Sequence, residues 1–416
     1  LPMYRLHRLP WRFPAGLKLR NHGHRNRRSL ATEEVMAKAL ALATGGKDED
    51  IQEVVEACST FQPLQLRDVL RSFADASTML QPRLWEGLSA EVPRAAEELN
   101  AMQLVHLALL LSSLSLREPP HVMQEVAAQL EQRAGDLPPA GLVGAVVALS
   151  QLGPWPQEPQ PGGPLITALE GSLFQLPPSQ LSSVALSVAT LQHETPVFWQ
   201  QAHGALLACA NDLSPRQMAD VYLALATHQM CPITLLEELH GQLPRFLSED
   251  ELPTEEALTI AWSMVAMRFT GSGHLSALLK HVAPQQLSSS EVQQLQQILL
   301  SLEYETKEAA QIERCQPWLM EELSHGQVAE EVLQEVCEHL EEEGVKYSLN
   351  ETVEDFYHLD LAVKDTTLVL DPSTSSMAEA PRNAWITLKC RHLKELGWCV
   401  EWLPLRRWEM MGTEER

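Results

Sequence analysis

The sequence predicts a mainly α-helical chain: a solenoid of helix pairs with a period of about 38 residues, followed by a small α/β module. Three observations predict it. One motif recurs seven times between residues 61 and 325, the periodicity changes from helical to strand-like after Gly344, and no apolar run reaches the roughly 20 residues that span a membrane. The most apolar stretch, Leu104 to Leu116, is too short for that.

The repeat opens at Phe61, Leu99, Leu137, Leu176, Leu213, Leu252 and Leu287, spaced 38, 38, 39, 37, 39 and 35 residues apart. Several openers begin alike, as in Leu137-Pro138-Pro139-Ala140-Gly141-Leu142 and Leu176-Pro177-Pro178-Ser179-Gln180-Leu181. Five residues on stand Leu66, Leu104, Leu142, Leu181, Met218, Ala257 and Val292; twelve on stand Phe73, Leu111, Leu149, Val188, Leu225, Met264 and Leu299. A Ser or Pro after the opener starts a helix without losing a hydrogen bond, and the apolar residues then share one stripe. Small neighbours such as Ala74, Ser112, Ala189 and Ala226 permit close packing. A second helix follows in each unit, for instance Phe198 to Ala210 or Ile233 to Leu247. One such pair cannot bury its own stripe, so neighbours must stack. The third unit carries a Pro- and Gly-rich insertion, Pro154 to Pro164.

Ahead of the repeats, residues 31–60 read as two capping helices. Thr32 caps the first, Glu33 and Glu34 lie in its first turn, and Gly45-Gly46 ends it; the second runs from Asp48 to Cys58. Residues 326–343 read as a connecting helix. The module, 344–416, reads as strand Val345–Leu349, strands Phe356–Val363 and Thr366–Leu370 around a turn at Lys364-Asp365, and a polar loop from Pro372 to Pro381. A helix from Arg382 ended by Gly397 and a strand Trp398–Leu405 complete it.

Charge divides the chain into three. Residues 1–30 hold eight basic residues and no acid, residues 31–343 hold fourteen basic and forty-three acidic, and residues 344–416 hold nine and twelve. The first segment has transit-peptide composition, but Pro2, Pro10, Pro14, Gly16 and Gly23 break an amphipathic helix. It reads as a basic arm that orders on phosphates, against the plainer reading of a disordered tail or leftover presequence. The chain opens on Leu1 rather than Met, as a processed or partial chain would. Seven scattered cysteines without a C-x-x-C pair read as reduced thiols in helical cores, not as a disulfide framework or a zinc site.

The run Leu388-Lys389-Cys390-Arg391-His392-Leu393-Lys394-Glu395-Leu396-Gly397-Trp398, with Leu403-Pro404 and Arg406-Arg407-Trp408, resembles the end of a RAP domain. That domain is the C-terminal module of organellar RNA-metabolism proteins and of FAST-kinase-like proteins. Tyr357 to Val363 and Leu368 to Pro372 are similar to its strand hairpin. The period and the Leu-Ser/Pro-Pro opening resemble the octotricopeptide repeat of organellar RNA-binding proteins, often found upstream of RAP domains. The resemblance implies a restriction-endonuclease-like module and a place in mitochondrial, less so plastid, RNA metabolism.

That fold raises a catalytic question, since its nucleases hold a metal with an Asp on one strand and a Glu/Asp and a Lys on the next. Asp360 and Asp371 match the acids. Val369 stands where the family has Glu, and Ser373 stands where the Lys would be, so these acids are expected to serve turns or hydrogen bonds and no metal. The chain has no P-loop, G-x-G-x-x-G, nucleophile elbow or H-E-x-x-H, and Thr270 to His274 lacks the Lys-Ser/Thr of a phosphate cradle. Cys337 and His339 fall on different helix faces and Glu341 to Glu343 form a solvated helix end.

The expectation is therefore a non-enzymatic, cofactor-free, RNA-associated protein of the mitochondrial matrix, contacting no membrane. RNA contact is expected from Arg5, Arg8, Arg12, Lys18, Arg20, Arg25, Arg27 and Arg28 of the arm and from Lys389, Arg391, His392, Lys394, Arg406 and Arg407 of the module. The module's tryptophans serve either phosphate contact or its core. The acidic repeats, without a basic stripe, are expected to bind basic protein, ribosomal or other; the alternative is local basic spots hidden by the totals. The leading role is a mitochondrial ribosome component or assembly factor contacting rRNA. The alternatives are a free regulator of transcript stability or processing and a protein-binding scaffold without RNA contact.

Overall fold

The computed structural model describes residues 27–43, 49–76, 81–114, 120–153, 155, 161–193, 195–249, 251–269, 273–282, 287–306, 327–353, 357–371, 384–404 and 408. They fall into two compact bodies, one of residues up to 153 with 161–171, the other of residue 155 with 172–408. Both are built mainly of helices, and a four-stranded sheet belongs to the second.

The first body holds α1 (Arg27–Ala43), α2 (Glu49–Ala57), α3 (Pro63–Ala76), α4 (Pro82–Ser89), α5 (Val92–Glu98), α6 (Ala101–Ser113), α7 (Pro120–Gln132), α8 (Pro139–Leu152) and α9 (Gly163–Glu170). Like packs on like. The opening helices α3, α6 and α8 contact one another in succession, the closing helices α5, α7 and α9 do the same, and α1 and α2 lie on α3 and α4. Contact between α6 and α8 is close because glycine faces it: a Cβ at Gly144 would stand 3.0 Å from Val105 Cγ1 and one at Gly141 2.8 Å from Met102 Sδ.

The second body continues with α10 (Pro178–Leu191), α11 (Pro196–Ala208), α12 (Pro215–Thr227), α13 (Ile233–His240), α14 (Leu243–Ser248), α15 (Thr254–Ala266), α16 (His274–His281) and α17 (Ser289–Ser301), which runs into a π turn at Leu302–Thr306. Here α10, α12, α15 and α17 stack in order, as do α11 with α13 and α14 with α16.

Local chemistry explains the regularity. The openers Phe61, Leu99, Leu137, Leu176 and Leu213 all have extended backbone, which ends one helix pair and aims the next. Asn100, Ser214 and Ser288 form capping boxes with Gln103, Gln217 and Glu291, and Pro139, Pro178 and Pro215 occupy first turns. The side chains five and twelve residues after each opener are buried in all seven units. Each Leu among them contributes about 2–5 kcal/mol by the cost of its truncation to Ala. A polar side chain in or beside a closing helix then reaches back to a carbonyl at or near its unit's opener: Arg94 Nη2 to Phe61 O (2.8 Å) and Arg133 to Leu99 O in the first body, Gln242 Nε2 to Ala210 O (2.6 Å) and His281 Nε2 to Leu252 O (2.6 Å) in the second. The carbonyls of Phe61, Leu99 and Leu252 lie outside any helix, whereas Ala210 O, in a 3-10 turn, also accepts the Leu213 N–H.

The C-terminal module comprises α18 (Gln327–Glu342), β1 (Ser348–Val353), β2 (Tyr357–Val363), β3 (Thr366–Asp371), α19 (Ala384–Glu395) and β4 (Cys399–Pro404). Its sheet order is β1-β2-β3-β4; the first two pairings are antiparallel and β3 with β4 is parallel. Side chains alternate across β3. Val369 joins Tyr357, Leu359, Leu393 and Leu300 of α17 on one face, whereas Leu370 packs with Val332 of α18 and Trp408 on the other. Gly397, at φ +93°, ends α19 in the left-handed conformation that glycine adopts without steric cost.

Several expectations are corrected. The first capping helix begins at Arg27, which puts Thr32 inside α1 rather than at its cap. β1 is Ser348–Val353, later than Val345–Leu349, because α18 ends in a left-handed Gly344 and three further residues lead into the strand. The insertion ends at Gly162, since Gly163 and Pro164 already open α9. The single helix expected over Ile233 to Leu247 is two, α13 and α14, because Pro244 sits in a first turn where its missing N–H costs nothing. The six cysteines among the described residues form no disulfide, but Cys231 and Cys399 are exposed rather than in a core.

Candidate functional site

Two features of the second body concentrate chemistry: the seat of α19 on the last repeats, and a cavity where α10, α11 and α12 meet.

The seat follows from helical spacing. Trp385, Leu388, Arg391 and His392 recur at intervals of three and four, so they share one side of α19. Trp385 stacks on the fully buried Trp262 of α15, ring centres 4.7 Å apart at 27°. Arg391 gives Nε to Glu305 Oε1 (2.9 Å), pairs through Nη2 with the other oxygen, and donates to the carbonyls of Ala266 (2.9 Å) and Val265 (3.4 Å). The guanidinium thus caps the C-terminus of α15, where carbonyls lack helical partners and the dipole favours a cation. His392 has no exposed surface; its Nδ1 meets Tyr357 Oη at 2.6 Å and its Nε2 meets Ser301 Oγ at 2.5 Å. Burial, then the Arg391 charge, pushes its pKa down to about 3, so the ring is neutral at physiological pH. Thr387 Oγ1 accepts from Gln229 Nε2 at 2.8 Å.

The seat corrects part of the expected RNA surface. Arg391 and His392 face the repeats, because they lie three and four residues after the buried Leu388. Lys389 is spent differently: its Nζ is 3.8 Å from Asp360 Oδ2, an oxygen that also accepts the Leu370 N–H at 2.9 Å. Asp360, only 4% exposed, serves a hydrogen bond as expected. Of the four basic residues predicted on α19, Lys394 is the exposed one. Arg5, Arg8, Arg12, Lys18, Arg20, Arg25, Arg406 and Arg407 lie outside the described residues, as do the side chains of Arg27 and Arg28. Trp385 and Trp408 belong to packed contacts, which favours the core reading for these two tryptophans.

The cavity, of about 690 Å³, has α11 as one wall and the ends of α10 and α12 as its rim. Trp199 of α11 lies against His228, ring centres 4.5 Å apart and 22° from parallel, and His203 follows one turn later, 6.1 Å from the indole. Gln192, Gln200, Gln229, Thr195 and Thr227 complete its polar part, and among the described residues no Asp, Glu, Lys or Arg lines it. Burial pushes the His203 pKa down. Gln192 and Gln229 both have left-handed backbone, φ 55° and 56°, sixteen residues after their openers; Arg268 repeats this at φ 57° in the next unit.

No protein-family model matches the chain, and no curated protein matches it. The sequence reading missed the cavity because its walls come from two repeats. It missed Glu305 because the acid lies 86 residues from Arg391. The stripe Trp385, Leu388, Arg391, His392 was open to view, and only its basic composition suggested an outward face.

Proposed function

We propose that this chain is a non-catalytic, RNA-associated organellar protein, an octotricopeptide-like α-solenoid carrying a RAP-like module, and that it serves the mitochondrial ribosome as a structural or assembly component. The observation that carries this reading is the seating of the module. The order α18, three antiparallel strands, α19 and a parallel β4 agrees with a restriction-endonuclease-like RAP fold. The module's basic helix α19 locks onto the repeats through Trp385, Arg391 and His392.

Two details support the non-catalytic part. Asp360 is buried against a backbone N–H and Lys389, and the position on the neighbouring strand where the resembled family carries a Glu, two residues before Asp371, is the buried Val369. A carboxylate so engaged is a poor magnesium ligand, because the ion requires several accessible oxygens in near-octahedral array. RNA contact is left to the basic arm, Lys394 and the Arg406-Arg407 pair, while the acidic repeats suit basic protein.

The test is sedimentation of organelle extract with and without ribonuclease. The proposal expects the chain to travel with a ribosomal subunit and to leave it when rRNA is digested. Travel with messenger RNA alone would favour the transcript regulator, and complexes indifferent to ribonuclease would favour the protein scaffold.

A further inference from the structure

The cavity between α10, α11 and α12 is built for an occupant, and its chemistry narrows what that is. Buried polar atoms in folded proteins find partners in the great majority of cases, so a group of them without any calls for one. Thr195 Oγ1, Trp199 Nε1 and His203 Nε2 are all buried and make no hydrogen bond among the described residues. Trp199 and His203 stand four residues apart on α11, hence one above the other on one side of the helix, Thr195 is the residue just before it, and all three line the cavity. Trp199 itself is 2% exposed.

The set offers an indole donor, a hydroxyl of either role and an imidazole nitrogen, with amides at the rim and flat rings in the wall. Each amide both donates and accepts. Among the described residues no Asp, Glu, Lys or Arg lines the cavity, so the described lining offers a phosphate, a carboxylate or an ammonium no ion-pair partner. The geometry points to an uncharged planar heterocycle with donor and acceptor edges, of the nucleobase type, as the ligand of this cavity. A base meets such a site through its hydrogen-bonding edges and ring faces, with its sugar and phosphate outside. The three atoms are shielded from solvent, so the ligand gains them as the long side chains of Gln192, Gln200 and Gln229 turn aside. Because Gln229 also donates to Thr387 of α19, occupancy of the cavity is coupled to the seat of the module.

A base could arrive as a free nucleoside or within single-stranded RNA, and the experiment separates the two. The full-length chain is titrated calorimetrically with adenosine, guanosine, cytidine and uridine, and with a mixed-sequence single-stranded oligoribonucleotide. Titrations are repeated with Trp199→Phe, which keeps a ring and removes the donor, and with Gln200→Trp, an exposed substitution that fills the mouth. Loss of one hydrogen bond predicts about tenfold weaker binding for Trp199→Phe, and Gln200→Trp abolishes it. Nucleoside binding that both variants weaken supports a free heterocycle; variant-sensitive binding of the oligoribonucleotide alone supports a base within RNA. No binding of any probe at millimolar concentration, or binding that neither variant alters, overturns the inference and leaves the three atoms to buried water. The inference rests on the RNA-associated reading only for the base's source, and ribonuclease-sensitive sedimentation of both variants would show that reading standing while this one falls.

Discussion

Replacing Arg391 by Met removes the group that fastens the C-terminal module to the repeats, and the structure sets the size of the effect. The guanidinium and the Glu305 carboxylate are 14% and 15% exposed, so the pair is neither a surface bridge, worth about 0–1 kcal/mol, nor fully sequestered. Arg391→Met strands Glu305 and leaves the carbonyls of Val265 and Ala266 without their donor. Breaking a buried pair costs about 3–5 kcal/mol, and residual solvent access places this one near the lower end, about 3 kcal/mol. Removing Glu305 as well, as Arg391→Met with Glu305→Gln, eliminates the stranded charge and costs less than the two single changes together. The assay is native-state hydrogen exchange, read at amides of β2, β3 and α19 and compared with α10 and α12. The expected result is faster opening of the module, with the stacked helices little changed. Opening free energies within about 0.5 kcal/mol of the parent, or additive losses in the double variant, would refute the anchoring argument.

Three further outcomes follow from particular contacts. Between its ordinary 6.5 and the folded value of about 3, His392 is protonated in the unfolded chain and not in the fold. Stability is therefore lost as pH falls through that window, by up to ~1.4 kcal/mol per pH unit, and His392→Phe flattens the profile in denaturant titrations from pH 7 to pH 4. Gly144→Leu forces side-chain bulk against Val105, and thermal melting of the first body's helices should show a loss of about 1–3 kcal/mol. Lys394→Glu, on an exposed surface, should leave stability within about 0.5 kcal/mol while reducing RNA recovered in crosslinked complexes.

Much of the helical framework could be read directly because its signals are local. A Ser or Asn three residues before Gln or Glu, a proline in a first turn, and apolar residues five and twelve after each opener act within a few turns of one helix. The turn at Lys364-Asp365 and the stop at Gly397 were legible for the same reason. Boundaries set by competition were not: proline splits the closing helix at Leu243-Pro244, and α1 extends back into the basic segment. The candidate site was least legible. Arg391 could be read as a phosphate contact or as a helix cap, and the choice depends on Glu305 and on the carbonyls of α15, 125 and 126 residues away in sequence. Charge type alone does not say which way a side chain faces. The left-handed Gln192, Gln229 and Arg268 share a place in the repeat, but no glycine announces it; conformations of this kind cost about 1–3 kcal/mol and persist only where the surroundings enforce them.

The central claim is that RNA is held by the basic arm and the exposed basic residues of the module, while the acidic repeats face protein. Ultraviolet crosslinking in intact organelle extract, with crosslinked peptides mapped and the RNA sequenced, tests it most directly. The account predicts ribosomal RNA joined to peptides within residues 1–30 and 394–408, apart from any base held at the α11 cavity. Messenger RNA joined to peptides spread along the repeats, or no RNA on any peptide, would contradict it.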